Sequence, residues 1–155
     1  MPFTAAGVEI DLIIRGICCL KTGIPKVSEN IRVRSIVGNF LEHARIFYFR
    51  NAGDEEFYMA SADWMPRNLD KRVEILFPVE DAKLKEQVRH ILQVQLEDTL
   101  KAHVMQPDGN YEKIDKRGKV LLCAQDYFCE EAVNAAKTAE PVQSRVFVPL
   151  EHIEE

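Results

Sequence analysis

VEIDLIIRG, residues 8–16, is the stretch that decides the fold. Its first seven residues are nearly all apolar, the pattern of a strand covered on both faces in an α/β sheet rather than of a half-solvated strand, which alternates. Arg15-Gly16 closes the run, and Ile17 to Leu20 is expected to continue it past a bend or bulge. KTGIPKVSEN (21–30) reads as a loop, and IRVRSIV (31–37) returns as an alternating strand. That alternation puts Ile31, Val33 and Ser35 on one face and Arg32, Arg34 and Ile36 on the other.

Gly38 breaks this strand, NFLEHA (39–44) is expected as a short helical turn, and RIFYF (45–49) as an aromatic strand. NAGDEE (51–56) reads as a turn into the strand FYMAS (57–61). After the polar connection ADWMPRNLDKR, VEILF (73–77) resumes strand character until Pro78. Asp81 caps a helix expected over about 82–101, with Leu84, Val88, Ile91, Leu92, Leu96 and Leu100 on the core face and Val94 out of pattern. Tyr111 and Gly118 to Leu122 suggest short strands or turns, and Asp126 to Ala139 a modest helix before Pro141. The sum is an α/β fold, a mixed β-sheet flanked by helices, in a single domain spanning 1–155. Strands precede any complete helix, so N-terminal elements are expected to be missing and apolar surface to be exposed near the N-terminus.

With 46% apolar and 29% charged residues, 155 residues are enough for one real core and unlike a disordered chain. No apolar run is long enough to span a bilayer, and Met1-Pro2-Phe3 does not begin a signal segment. Cys18, Cys19, Cys123 and Cys129 lack the spacing of a structural zinc site and read as free thiols of a cytoplasmic protein. The net charge of -5 argues against general nucleic-acid binding. Between Arg15 and Arg50, however, seven basic side chains face only two acidic ones, Glu29 and Glu42, which suits either a local anion site or a solvated basic face.

Arg15 stands where open α/β sheets present side chains to ligands, and its guanidinium matches phosphate oxygens; the alternative is a structural contact closing the strand. Arg32 and Arg34 share a strand face and repel unless solvent, carboxylates or an anion neutralises them. His43, between Glu42 and Arg45, has the chemistry to carry a proton or a phosphoryl group, with a neighbouring arginine stabilising charge; a histidine without a chemical role remains the alternative. His90, His103 and His152 read as structural or solvent-facing. SADWMPRNLDKRVE (61–74) is dense in polar groups for a connection, and Ser61, Asp63, Arg67 and Asn68 could orient a ring or a phosphate oxygen while Trp64 and Met65 fill space. No carboxylates here have standard metal spacing, and neither a glycine-rich phosphate loop nor a nucleotide fingerprint is present.

The series DLIIRGICCL (11–20), SENIRVRSIVGNFLEHARIFYF (28–49) and SADWMPRNLDKRVEILFPVED (61–81) resembles the polyphosphate kinase family, in the C-terminal of its two phospholipase-D-like catalytic domains. The resemblance implies reversible transfer of the terminal phosphate of ATP to inorganic polyphosphate, through a phosphohistidine in the preceding domain that has no counterpart here. It implies ATP/ADP and Mg2+ as requirements of the full-length enzyme, none held tightly by this chain alone. The implied partners are polyphosphate, the upstream catalytic domain of the same polypeptide and a homo-oligomer, with no nucleic acid, in a cytoplasmic or peripherally membrane-associated setting.

His43 resembles the family's second essential histidine, and Arg15 the arginine that contacts nucleotide phosphate. His43-Ala44-Arg45 puts arginine where phospholipase-D-like proteins have lysine, with Arg45 or Arg67 standing behind the first pair. Glu74 falls where the superfamily places an acidic residue supporting a histidine. Arg32 and Arg34 would track the phosphate chain or brace the fold. Polyphosphate carries about one negative charge per phosphate, so arginines must offset the repulsion of two polyanions during transfer. The rival readings are a phospholipase-D-type phosphodiesterase half-site and a non-catalytic polyanion-binding and assembly module.

Overall fold

The computed structural model describes residues 7–138. β1 (Ile10–Ile13) lies parallel to β2 (Ile31–Ile36), with Ile10 opposite Ile31 and Ile13 opposite Arg34. Parallel neighbours need a crossover; residues 14–30 supply it as turns and irregular backbone without a helix. β6 (Ala102–Met105) pairs antiparallel with β2, and β7 (Tyr111–Lys113) with β6, giving the order β1-β2-β6-β7. β3 (Ile46–Phe49), β4 (Glu56–Ala60) and β5 (Leu76–Pro78) form a second, antiparallel sheet in sequence order. The helices are α1 (Pro66–Lys71), α2 (Ala82–Glu97) and α3 (Ala124–Thr138). A mixed sheet with helices is thus present, and the aromatic strands close a separate sheet instead of joining it.

α2 ties the two sheets together. Asp81 caps it by accepting from the backbone N–H of Lys83 and Leu84, as Asp does at this position. Val88 enters a buried cluster with Phe57 and Val79, bordered by Ile46 and Met59. Burying a phenylalanine of this kind contributes about 1.5–3 kcal/mol. In its last turn, Gln95 is buried against Glu42, and the Leu96 carbonyl accepts from Arg34 of β2. Because the helix is covered on more than one side, Val94 is buried while Leu84 is half exposed, reversing the expectation for both.

Four further expectations change. The helix stops at Glu97, since Asp98 turns out of it and its carboxylate accepts from Lys101 N–H (2.7 Å) and Ala102 N–H (2.9 Å), steering the chain into β6. Ile17 to Leu20 is not strand; Ile17 stands in solvent. The expected turn at 39–44 is not helical, because the N–H and carbonyl of Phe40 bond to the side chain of Gln125 instead of to a helical neighbour. Finally, the connection at 61–72 contains α1, which has Pro66 at its first turn, a position that tolerates the missing N–H.

β5 begins only at Leu76, leaving Val73 fully exposed. Apolar exposure is found at Val8, Ile17 and Leu20 early in the chain, and also at Leu41, Trp64 and Val120. All four cysteines are free. His152 lies outside the described residues.

Candidate active site

His43 and Arg45 lie on the irregular segment that carries the chain from β2 into β3. Their side chains meet: a terminal guanidinium nitrogen of Arg45 stands 2.6 Å from His43 Nε2. A guanidinium can only donate, so in this contact Nε2 is the acceptor and Nδ1 is left as the ring nitrogen that carries a hydrogen. Arg45 Nε donates to Asp63 Oδ1 at 3.0 Å. Asp63 is presented by the turn after β4, where its own carbonyl accepts from Met65 N–H and from the Asn68 side chain. The Arg45 hydrogen bond is the main reason that the Asp63 carboxyl is held below its ordinary value; burial opposes this, and the charges of Arg45, His43 and Arg15 assist.

Arg15, two residues beyond β1, donates to the Glu42 carbonyl at 2.6 Å. The residue next to His43 is therefore tied to the end of the parallel pair. The Glu42 carboxylate accepts from two buried amides, Gln95 at 3.0 Å and Gln125 at 2.7 Å. Arg15, His43, Arg45 and Asp63 form one cluster with two guanidiniums, one imidazole and one carboxylate, in which Arg15 and His43 are exposed and Arg45 and Asp63 are partly buried. Such a cluster offers several N–H donors to an oxyanion and a titratable ring beside them.

The other candidates lie elsewhere. Glu74 accepts from the Ser61 hydroxyl and pairs with Arg72 at 3.6 Å; none of its described contacts reaches His43. The carboxylate that reaches the histidine, through Arg45, is Asp63. Arg32 is neutralised by Asp11 (2.7 Å) and Glu9 (3.0 Å), and its guanidinium holds the Asp11 carboxyl below its ordinary value. Arg34, on the same strand face, reaches the Leu96 carbonyl, and burial pulls its pKa down. In this geometry both brace β2. Arg67 stands exposed on the first turn of α1 with no described pairing partner. Gln95 and Gln125 were invisible to sequence reasoning because an uncharged amide in an amphipathic helix has no distinguishing pattern.

A family profile described as "Polyphosphate kinase C-terminal domain 2" matches residues 3–125. The chain belongs to the polyphosphate kinase family. Among curated polyphosphate kinases, that of Pseudomonas aeruginosa is 58% identical over 113 residues, which are 73% of this chain and 16% of that protein. Polyphosphate kinase 1 of Chlorobaculum tepidum is 54% identical over 133 residues, 86% of this chain and 19% of that protein. The crystal structure of the polyphosphate kinase from Porphyromonas gingivalis superposes with a TM-score of 0.81 at 41% identity, covering 88% of this chain and 21% of that one. The chain thus spans about a fifth of the length of the polyphosphate kinases it matches. The superposition shows that the fold described above is shared with that crystal structure over most of this chain.

Proposed function

We propose that this chain supplies one side of a polyphosphate kinase active site, with His43, Arg45 and Arg15 facing a phosphoryl group in transit. The observation that carries the proposal is the cluster itself: an imidazole bonded to a guanidinium that a carboxylate holds in place, beside a second guanidinium at a strand end. In the proposed reaction a relay histidine outside this chain takes the γ-phosphoryl group of ATP, releasing ADP. The terminal oxygen of polyphosphate then takes that group from the relay nitrogen, and the reverse sequence returns it to ADP.

The work assigned to this chain is electrostatic and prototropic. Arg15 and Arg67 offer donors to phosphate oxygens, and Asp63 keeps Arg45 beside His43. When His43 Nε2 takes a proton it can no longer accept from Arg45. One Arg45 N–H is then released toward a phosphate oxygen, so that a proton donor and a cation become available together. Positioned acids of this kind contribute about 10²–10⁴-fold. Glu74 would act on the site only through the Ser61 turn that leads to Asp63.

Among the described residues no group of three His, Cys, Asp or Glu side chains is placed to hold a metal. Magnesium enters this reading with the nucleotide, and no step is assigned to it here. An upstream domain of the same polypeptide and self-association belong to the same proposal. Incubating the 155-residue chain with labelled ATP and magnesium, and separating protein under alkaline conditions that preserve phosphohistidine, tests it. No stable label is expected, and label on His43 would overturn the division of labour. A folded His43→Ala variant of the longer enzyme that still synthesises polyphosphate at the parent rate would remove His43 from the reaction.

A further inference from the structure

His43 sits on a segment, residues 38–44, that has no regular secondary structure and no buried side chain of its own. A catalytic ring on such a segment is held in place only if the surrounding peptides are fixed from outside. Here they are fixed by two glutamines. Gln125, 6% exposed on the first turn of α3, accepts from Phe40 N–H at 3.0 Å and donates to the Phe40 carbonyl at 2.8 Å and to Glu42 Oε1 at 2.7 Å. The orientation of its amide is determined by its partners, because an N–H only donates and a carboxylate only accepts. Gln95, 7% exposed near the end of α2, donates to Glu42 Oε2 at 3.0 Å.

We propose that Gln125, assisted by Gln95, is a positioning residue for His43, acting through the Phe40 backbone and the Glu42 carboxylate. The two amides grip both oxygens of one carboxylate, and Gln125 also grips both polar groups of one peptide residue. This fixes the backbone at positions 40 and 42, directly before His43. Arg15 adds a third hold on the Glu42 carbonyl, so the phosphate-facing arginine and the histidine are referenced to the same residue. Neutral amides suit the task. A carboxylate at position 125 would face Glu42 with like charge, and a shorter side chain would reach neither partner. Gly38 leaves room for the grip, since a methyl group there would overlap the Gln125 amide oxygen and crowd its carbon at 2.7 Å.

The decisive measurement is nitrogen–proton correlation spectroscopy of the imidazoles in the folded 155-residue chain, with Gln125→Met and Gln95→Met, which keep length and remove the hydrogen bonds. The His43 resonances should move, with Nε2 losing the signature of its bond to Arg45, while those of His90 and His103 stay in place. Unmoved His43 resonances in folded Gln125→Met overturn the proposal. Should that variant not fold, Glu42→Ala decides. It keeps the backbone carbonyl that Arg15 bonds and removes both oxygens that the glutamines grip, and unmoved His43 resonances there are equally fatal.

The kinetic consequence rests on the polyphosphate kinase reading above. In a longer enzyme containing this chain, Gln125→Met should lower kcat by about 10- to 100-fold with little change in KM, as small displacements of reacting groups do. A lower kcat with His43 resonances unmoved refutes positioning. Moved resonances with full kcat support positioning and remove His43 from the catalytic reading instead.

Discussion

Asp98 joins the elements that carry Gln95 and Gln125, and its removal should be costly. The side chain is fully buried, and its two oxygens accept from three backbone N–H groups: Lys101 (2.7 Å), Ala102 (2.9 Å) and Ala124 (2.8 Å). These bonds end α2, open β6 and start α3, and so set the spacing between Gln95 and Gln125. Each buried donor left without a partner costs about 1–3 kcal/mol. Partial entry of water into the space left by Asp98→Ala brings the expected total to about 3–5 kcal/mol. For a chain of this size that corresponds to a fall in Tm of about 6–20 °C. Asp98→Asn should lose less, about 1–3 kcal/mol, because one oxygen can keep the Lys101 and Ala102 bonds while its NH2 opposes the Ala124 N–H. Thermal melting of the 155-residue chain followed by circular dichroism measures both, with Asp108→Ala as an exposed control. A loss below about 1 kcal/mol for Asp98→Ala would show that the three donors find other partners, refuting the argument.

The Asp63 carboxyl is depressed when folded, so the unfolded chain takes up its proton first on acidification. Its contribution is present above the ordinary value of 3.8 and is lost as pH falls through the lower folded value; Asp63→Asn should flatten that part of the acid-unfolding profile. Arg15→Ala in the longer enzyme should lower transfer by about tenfold or more through loss of a charge-assisted phosphate contact, with Tm nearly unchanged because the side chain is exposed; parallel kinetics and melting check this. Phe57→Ala should cost about 3–5 kcal/mol by urea unfolding, since it empties the centre of the cluster between β4 and α2.

The elements legible in the sequence were those whose pattern is local. β1, β2, β3 and β4 follow from apolar runs and alternation, and α2 from its cap and period. What escaped depended on distant partners. Residues 39–44 lack a helix because Gln125, more than 80 positions later, takes the polar groups of Phe40. Val94 is buried because α2 is covered on more than one side, which an amphipathic pattern with one apolar face does not anticipate. The site was legible in part for the same reason. His43 and Arg45 are neighbours in sequence, whereas the Asp63 partner of Arg45 comes from the turn after β4, and the described contacts of Glu74 are with Ser61 and Arg72.

The arginines show why charge counted along a sequence is not charge available to a ligand. Arg32 and Arg34 supply two of the cations that made residues 15–50 look like an anion site, yet Arg32 is matched by two carboxylates and Arg34 is half-buried against a helix end. Arg32 would meet a phosphate with its charge already matched, and Arg34 with its guanidinium half-buried. Arg15 is bonded to a carbonyl, which orients the guanidinium without cancelling its charge. Arg67 has no described counter-ion, and Arg45 shares a single carboxylate with the pull of His43. Among the candidate cations the unmatched charge is therefore that of Arg15 and Arg67, whereas Arg45 is paired with Asp63. Of the two, Arg15 is the one bonded to the residue beside His43, so its charge is the unmatched one that the contacts link to the cluster.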